Sequence, residues 1–598
     1  MTKRSLCSSL LVSVVLLFLA AAPLHGAERP SLVVVLSVDQ MRADYLDRFR
    51  PYFAKDGFNR FLQHGAVFTE ARHRHAYAET APGHAAIGTG LDPRHNGVLS
   101  NRFFDPATGR NPYVVEDPFV EGIPKPDPAA SATLPASPVR LDGASLGDRL
   151  KEHFPGARVV GVSLKDRAAI FMAGRKADAA IWFDAKGGRF VTSTYYRPRP
   201  SLLEFNRGPL QKFLQDPRHR QWDLSGAIPP QDLERITFDP SELYRFKDSF
   251  EKLGVEFPHR NIDSAEAITY TPYGNDLILE YARFAIRDLA LGRQPSGGPD
   301  LLFVGISSTD IYGHKYGPDS REVADGMVRL DRSLQDFFHW LDAYLGKRSV
   351  LLFLTADHGV TPIPEVAREK ALRSGQSVGA DAFGRCDMHN PRGKKTVSEA
   401  GADRLEIERA LAHALAYTLD ETKLNAEEAA IAWFEDGFFY LNRPVLKRRG
   451  VDLERAKTAL RDATQARPGV AAAYTNTEIG NGLSSEEAGA LAVERSFRSD
   501  RAGELYAILK PGWIWFYDRA AGTTHGQPND DDLHVPLLVW GRGVTAGRYD
   551  VPVSPLAIAK TVGKLFGFEV GEPDVEALAP VLQETTAAPR QESKAVPR

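Results

Sequence analysis

Apolar residues fall along this chain in two rhythms. Three stretches are continuous apolar runs of strand length, Ser31–Ser37, Asp300–Ser308 and Ser349–Thr355. Runs of this kind suit strands buried on both faces of a parallel sheet. Arg158–Ser163 and Val535–Trp540 read as further strands. A helical rhythm is clearest over Asp276–Leu291, where Leu277, Leu279, Tyr281, Phe284 and Ala285 are apolar. Helices are also predicted at Leu146–Phe154, Ser320–Leu345 and Pro555–Phe566, and the segment from Tyr45 to Phe68 reads as helical. Strands alternating with helices predict the α/β class, with a central, mostly parallel sheet flanked by helices.

Three stretches interrupt this alternation. Residues 106–142 are rich in Pro, Asp and Ala, have no periodicity, and read as a surface insertion. Residues 171–265 mix short strands (Ala179–Phe183, Arg189–Tyr196) with polar loops and are expected to form a cap that shapes the pocket. Residues 361–500 read as a compact α+β insertion. There, Ala430–Phe434 and Phe438–Leu441 flank the hairpin signal Glu435-Asp436-Gly437, followed by a helix at Leu453–Gln465, a strand at Val470–Tyr474 and a helix at Ser484–Phe497. The main sheet is expected to resume at Glu504–Leu509 and Ile514–Tyr517. Asn529–Asp532 reads as a solvated loop, and the tail 585–598 as disordered. One catalytic domain with cap insertions is therefore expected over 28–584.

Composition narrows the setting. With 43% hydrophobic and 25% charged residues, the 598-residue chain has an ordinary globular make-up, and a net charge of -3 offers no basis for nucleic-acid binding. Lys3 and Arg4 precede an apolar run from Leu10 to Ala22, so residues 1–27 read as a secretory signal peptide cut near Gly26 or Ala27. The expected address is periplasmic or secreted, with no stable membrane anchor after cleavage. Cys7 falls inside the signal, which leaves Cys386 alone and predicts no internal disulfide. No oligomeric state is assigned.

The candidate chemistry centres on Ala78-Glu79-Thr80-Ala81-Pro82-Gly83-His84. Thr80 precedes a helix start marked by Pro82, and a helix N-terminus favours an anion or alkoxide. Taken alone, Thr80 reads as an N-cap. Three apolar runs, however, lead into carboxylates: Asp39, Asp310 and Asp357. His314 and His358 accompany two of them, and His525 sits in a Gly-flanked loop. A parallel sheet aligns its strand ends and places ligands there. Three Asp, three His and the Thr80 oxygen suffice for two adjacent metal sites, and a mixed Asp/His set suits zinc. Two metals about 4 Å apart clamp the attacking and leaving oxygens of a phosphoryl transfer.

Val38-Asp39-Gln40, Glu79-Thr80-Ala81-Pro82-Gly83-His84, Asp310-x-x-x-His314, Ala356-Asp357-His358-Gly359 and Thr524-His525-Gly526 together resemble the alkaline phosphatase superfamily over nearly the whole mature chain. The resemblance implies an alkaline phosphatase-like fold and two zinc ions, one on Asp310, His314 and His525, the other on Asp39, Thr80, Asp357 and His358. Ser163-Leu164-Lys165-Asp166-Arg167 resembles the Lys-x-Arg element of the PafA-type, phosphate-irrepressible alkaline phosphatases, and Asn101 matches the family's pocket asparagine. Lys165, Arg167 and Asn101 would then bind the phosphoryl oxygens. The implied activity is hydrolysis of small-molecule phosphate monoesters through a phosphothreonine at Thr80. A phosphodiesterase or nucleotide pyrophosphatase on the same fold is the alternative, and a non-catalytic phosphate-binding protein ranks behind both. Thr80-Ala81-Pro82-Gly83-His84 lacks the Cys or Ser that sulfatases of the superfamily require.

Overall fold

The computed structural model describes residues 29–582, apart from 107, 126–134, 240–252, 254–255, 294–296, 390–400, 422–427, 487–488 and 517–520. The expected signal peptide and disordered tail lie outside the described residues. The first eight strands in chain order are β1 (Leu32–Val38), β2 (Ala66–Ala71), β3 (Gly122–Ile123), β4 (Val159–Ser163), β5 (Ala179–Asp184), β6 (Arg189–Ser193), β7 (Asp300–Ile306) and β8 (Val350–Thr355). There follow β9 (Gly384–Asp387), β10 (Ile431–Glu435), β11 (Phe438–Leu441), β12 (Val470–Thr475), β13 (Leu505–Leu509), β14 (Trp513–Phe516), β15 (Leu537–Gly541) and β16 (Gly547–Val553). The helices that matter for the site are α1 (Thr80–Thr89), α2 (Asp166–Ala173), α3 (Tyr273–Asp288), α4 (Ser308–Tyr316), α5 (Arg321–Leu345) and α6 (Ala557–Phe566).

Ten strands form one sheet in the order β16-β2-β15-β8-β1-β7-β4-β5-β6-β3. Its middle, from β8 to β5, is parallel throughout. Antiparallel β15 and β6 flank that middle. The fold is therefore α/β, with a sheet covered by helices on both faces. β1 shows why an unbroken apolar run is needed at the centre. Val34 and Leu36 join the core under α3 and α5, while Val33 and Val35 join the core under α6. Neither face of β1 meets water, so no polar alternation survives. Each Val or Leu side chain buried there contributes about 1.5–3 kcal/mol of transfer free energy.

Several segments depart from expectation. Within Tyr45–Phe68 only Tyr45–Arg48 and Phe58–His64 are α-helical, and after Gly65 the chain becomes β2, paired with β15 and β16. Pairing with distant strands overrides the local pattern there. The 171–265 stretch expected as a cap begins inside α2 and supplies β5 and β6 to the large sheet. Glu504–Leu509 and Ile514–Tyr517 do not resume that sheet. β13 joins β10, β11 and β12 in a separate four-stranded sheet, and β14 pairs with β9. β16 has no counterpart in the sequence reading; it is a mostly exposed edge strand carrying Pro552, so no apolar run marks it. The helix expected at Ser484–Phe497 is confined to Ala490–Arg495 among the described residues. Asn529–Asp532 is no solvated loop. It caps a helical turn at Asp530–Leu533, and Asp532 is fully buried.

Candidate active site

Strand register gathers the site. Ser37 pairs with Thr355 and Val38 with Ile306, so β1, β7 and β8 run out level at one edge. Asp39 directly follows β1, and Asp357 follows β8 after Ala356. α4 begins just past β7, which puts Asp310 in its first turn and His314 one turn further on the same face. Gln40 takes a left-handed conformation (φ 66°) unusual for a residue with a side chain. That turn aims its backbone N–H at Asp357 Oδ1 (3.3 Å) and its Nε2 at Asp310 Oδ1 (2.8 Å).

The predicted ligands form two trios. In the first, His358 Nε2 lies 3.5 Å from Asp39 Oδ1 and 3.3 Å from Asp357 Oδ2. In the second, Asp310 Oδ1 lies 3.1 Å from His314 Nε2 and 3.5 Å from His525 Nε2. Within each trio one ligand atom per residue lies within 4.8 Å of the others. The His358 and His525 rings stack with centroids 3.6 Å apart, so the trios are neighbours. Each imidazole donates its Nδ1–H to a backbone carbonyl, His314 to Thr523 (2.9 Å), His358 to Gly359 (2.9 Å) and His525 to Ala78 (2.7 Å). That fixes the tautomer and leaves every Nε2 as a lone pair facing inward.

This donor set fits divalent cations. The Nε2 lone pairs of His314 and His525 face each other at 3.2 Å. Asp39 Oδ1 and His358 Nε2 are buried without a hydrogen-bond partner. Burial, and the Asp357 carboxylate beside it, push the Asp39 carboxyl well above its usual range. Burial also opposes ionisation of Asp310, but the Lys165 ammonium and His314 outweigh it and hold that carboxyl low. Three buried carboxylates in one space call for positive charge beyond what Lys165 supplies.

Thr80 stands between the trios and a cationic pocket. It opens α1 behind the extended N-cap Glu79, and every residue of that helix is buried. A Cβ on Gly83 would meet the Asp357 carbonyl oxygen at 2.2 Å, so only glycine lets the helix lie against the ligand-bearing backbone. Lys165 Nζ donates to Thr80 Oγ1 (3.1 Å) and to Asp310 Oδ2 (2.5 Å), and lies 2.7 Å from Asp39 Oδ2. Burial works against the ammonium, yet Asp310 and Asp39 hold its pKa above the usual lysine value. Arg167 Nη2 donates to Thr80 Oγ1 at 3.3 Å. Asn101 Oδ1 accepts the Ala81 N–H (3.1 Å), and its own N–H donates to Glu79 Oε2 (2.9 Å). The Ala81 bond settles the amide orientation and leaves Nδ2 as the group that can donate to a substrate oxygen.

The structure thus brings Asp39, Thr80, Asn101, Lys165, Arg167, Asp310, His314, Asp357, His358 and His525 together at one sheet edge. Sequence reasoning gave no role to three of their neighbours. His84 Nδ1 lies 2.8 Å from the Thr80 carbonyl oxygen and 3.1 Å from Asp357 Oδ2, tying the Thr80 backbone to a predicted ligand. Gln40 bridges the trios as described above. Tyr113 accepts a hydrogen bond from Arg167 Nη1 at 2.6 Å. His84 was within reach, one helical turn after Thr80 on the same face; the other two depend on partners distant in sequence.

Comparison with known proteins places this geometry. Residues 33–530 match the protein family described as Type I phosphodiesterase / nucleotide pyrophosphatase. Alkaline phosphatase PhoV of Synechococcus elongatus is 31% identical over 549 residues, covering 90% of each chain. Alkaline phosphatase PafA of Elizabethkingia meningoseptica is 30% identical, covering 94% of this chain and 96% of its own. The crystal structure of wild-type alkaline phosphatase PafA superposes with a TM-score of 0.78 at 28% identity, over 93% of this chain and 99% of the other.

Proposed function

The chain belongs to the Type I phosphodiesterase / nucleotide pyrophosphatase family, and from that premise we propose that it is a zinc-dependent alkaline phosphatase in which Thr80 is the nucleophile. It hydrolyses phosphate monoesters, as its similarity to alkaline phosphatases over nine-tenths of both chains supports. The observation that carries the reading is the placement of Lys165 Nζ and Arg167 Nη2 at 3.1 and 3.3 Å from Thr80 Oγ1, beside two candidate ligand trios.

Asp310, His314 and His525 would hold one cation, and Asp39, Asp357 and His358 with Thr80 Oγ1 the other; the Asp/His mixture favours zinc. When bound, such a pair neutralises charge on the attacking and leaving oxygens. Thr80 Oγ1 must reach phosphorus as its alkoxide, and the Lys165 ammonium, the Arg167 guanidinium and the α1 N-terminus all lower the cost of that charge. The Oγ1–P bond forms as the P–O ester bond on the opposite side breaks; the ester oxygen leaves as an alkoxide and takes from solvent a proton equivalent to the one Thr80 gave up, releasing the alcohol and leaving phosphothreonine. Water then attacks that phosphorus, Thr80 recovers its oxygen, and inorganic phosphate departs. Lys165, Arg167 and Asn101 Nδ2 hold the non-bridging oxygens, which carry more charge in a monoester than in a diester.

We further infer that the chain is exported to the periplasm or secreted, and that residues 28–584 act as one catalytic unit with insertions. Among the described residues no helix is long and apolar enough to cross a membrane. Substrate preference decides the reading. With zinc present, kcat/KM for an aryl phosphate should exceed that for a bis-aryl phosphate by a wide margin. A wide margin the other way would make the chain a phosphodiesterase and void the role given to Lys165 and Arg167.

A further inference from the structure

Tyr113 lies in the Pro-rich 106–142 stretch, yet its hydroxyl closes a chain that ends at the nucleophile. It accepts from Arg167 Nη1 (2.6 Å) and donates to Asp166 Oδ1 (2.9 Å). Asp166 Oδ1 also accepts the backbone N–H of Arg167 (2.6 Å) and stands 4.0 Å from Arg167 Nη1, beyond hydrogen-bond reach, so the phenol is the group that hydrogen-bonds carboxylate and guanidinium together. The Arg167 guanidinium carbon lies 5.8 Å from the Tyr113 ring centre. Tyr113 is also tied to a second phosphoryl donor, Asn101. It pairs with Arg102 in an antiparallel bridge, and the following Val114 N–H donates to the Asn101 carbonyl (2.9 Å).

The consequence lies in which edge of the guanidinium remains. Nη1 is used by Tyr113, whereas Nη2 points to Thr80 Oγ1 and Nε is buried without a hydrogen-bond partner. Nε–H and Nη2–H form the fork that binds two oxygens of one phosphoryl group side by side. A guanidinium free to rotate would lose that match, and side-chain entropy would oppose its recovery.

We propose that Tyr113 is a positioning residue that locks Arg167 with its Nε–Nη2 edge on the phosphoryl group, and so sets the preference for monoesters over diesters. The proposal rests on the phosphomonoesterase reading above. A diester still offers two oxygens to that fork, but they share a single charge, whereas the oxygens of a monoester dianion carry more charge each and gain more from a fixed guanidinium edge.

Tyr113→Phe removes the hydroxyl and keeps the ring. In the zinc-loaded enzyme, kcat/KM for an aryl phosphate should fall about tenfold, the scale of one hydrogen bond to a charged group. The value for a bis-aryl phosphate should stay within about twofold. In an Arg167→Ala background the same replacement should change neither substrate further. Asp166→Asn keeps the phenol and removes the carboxylate charge, so it should shift the monoester value in the same direction by less. An equal fall on both substrates, or full additivity with Arg167→Ala, would overturn the proposal. A wild-type enzyme that prefers diesters would instead defeat the phosphomonoesterase reading, while additivity with Arg167→Ala would still report on Tyr113.

Discussion

The two candidate ligand trios are built from different materials. Asp39, Asp357 and His358 stand just past two central strands, and all three are fully buried. Their spacing follows from the ladder between β1 and β8. Asp310 and His314 instead ride on α4, and His525 comes from a loop more than two hundred residues later. The second trio exists only because that loop is fastened, with Gly522 and Thr523 N–H both donating to the His314 carbonyl (2.8 and 3.0 Å). His314 keeps 28% of its side chain exposed, while no side chain of the first trio is exposed at all. A sheet supplies positions whose geometry costs little to hold, whereas a helix and a distant loop leave one member of their trio, His314, open to solvent.

The most severe test removes what both trios serve. Thr80→Ala should lower kcat/KM for an aryl phosphate by about 10⁴ or more, while elemental analysis still finds both cations. Near-normal turnover would show that the trios act without this hydroxyl, and the comparison would lose its centre. The next test separates them. Asp357→Asn breaks the buried trio and should cost about 3 kcal/mol of unfolding free energy as well as one cation, because His358 and His84 lose a buried charged partner. His314→Ala should also cost one cation, but only about 1 kcal/mol, since its ring is partly in water. Urea titration of both variants against the wild type reads the difference. Equal destabilisation would mean that burial does not distinguish the two sites.

The strand-borne trio was the more legible half in the sequence, for a physical reason. Asp39 and Asp357 follow unbroken apolar runs, and such runs mark buried parallel strands whose ends align. Asp310 and His314 were legible as an Asp-x-x-x-His spacing at the end of a third apolar run, but the helix α4 that sets them on one face was not foreseen. His525 stood out only as one member of the joint pattern, because no local signal says which strand end a loop returns to. Tyr113 and Gln40 were invisible as functional groups. Tyr113 works through Arg167, which lies fifty-four positions away, and Gln40 through a left-handed turn that brings it to both Asp357 and Asp310. Of the large sheet, β1, β4, β7, β8 and β15 were foreseen; β5 and β6 were expected in a cap instead. β16 is exposed and β2 is recruited by pairing, and neither carries the apolar run that marks β1, β7 and β8. β13 was assigned to the wrong sheet because an apolar strand does not name its partner.

The smallest expected effect concerns the stitch between the two trios. Asp532 Oδ2 accepts the Gln527 N–H (2.9 Å), Oδ1 accepts from Thr361 Oγ1 (2.9 Å), and its carbonyl accepts the Gly359 N–H (2.7 Å). The His525 loop is thereby joined to the His358 loop through one buried side chain. Burial pushes this carboxyl up to about 7, although the bonds from Gln527 and Thr361 pull the other way. An unfolded aspartate titrates near about 3.9. The folded pKa is the higher one, so the native state retains a proton that the unfolded chain has already released. The stability this group contributes is therefore complete below about pH 4 and is lost as pH rises through about 7. Between pH 6 and 8 that loss amounts to about 1.4 kcal/mol. Asp532→Asn cannot titrate and can still accept from Gln527. Measured by urea denaturation at saturating zinc, the stability difference between variant and wild type should move in the variant's favour by that amount from pH 6 to pH 8. The other titrating groups, being common to both proteins, cancel in the difference. A difference that does not vary with pH would mean that Asp532 is ionised in the native state, and the two loops would then be joined by a buried anion instead of a neutral acid.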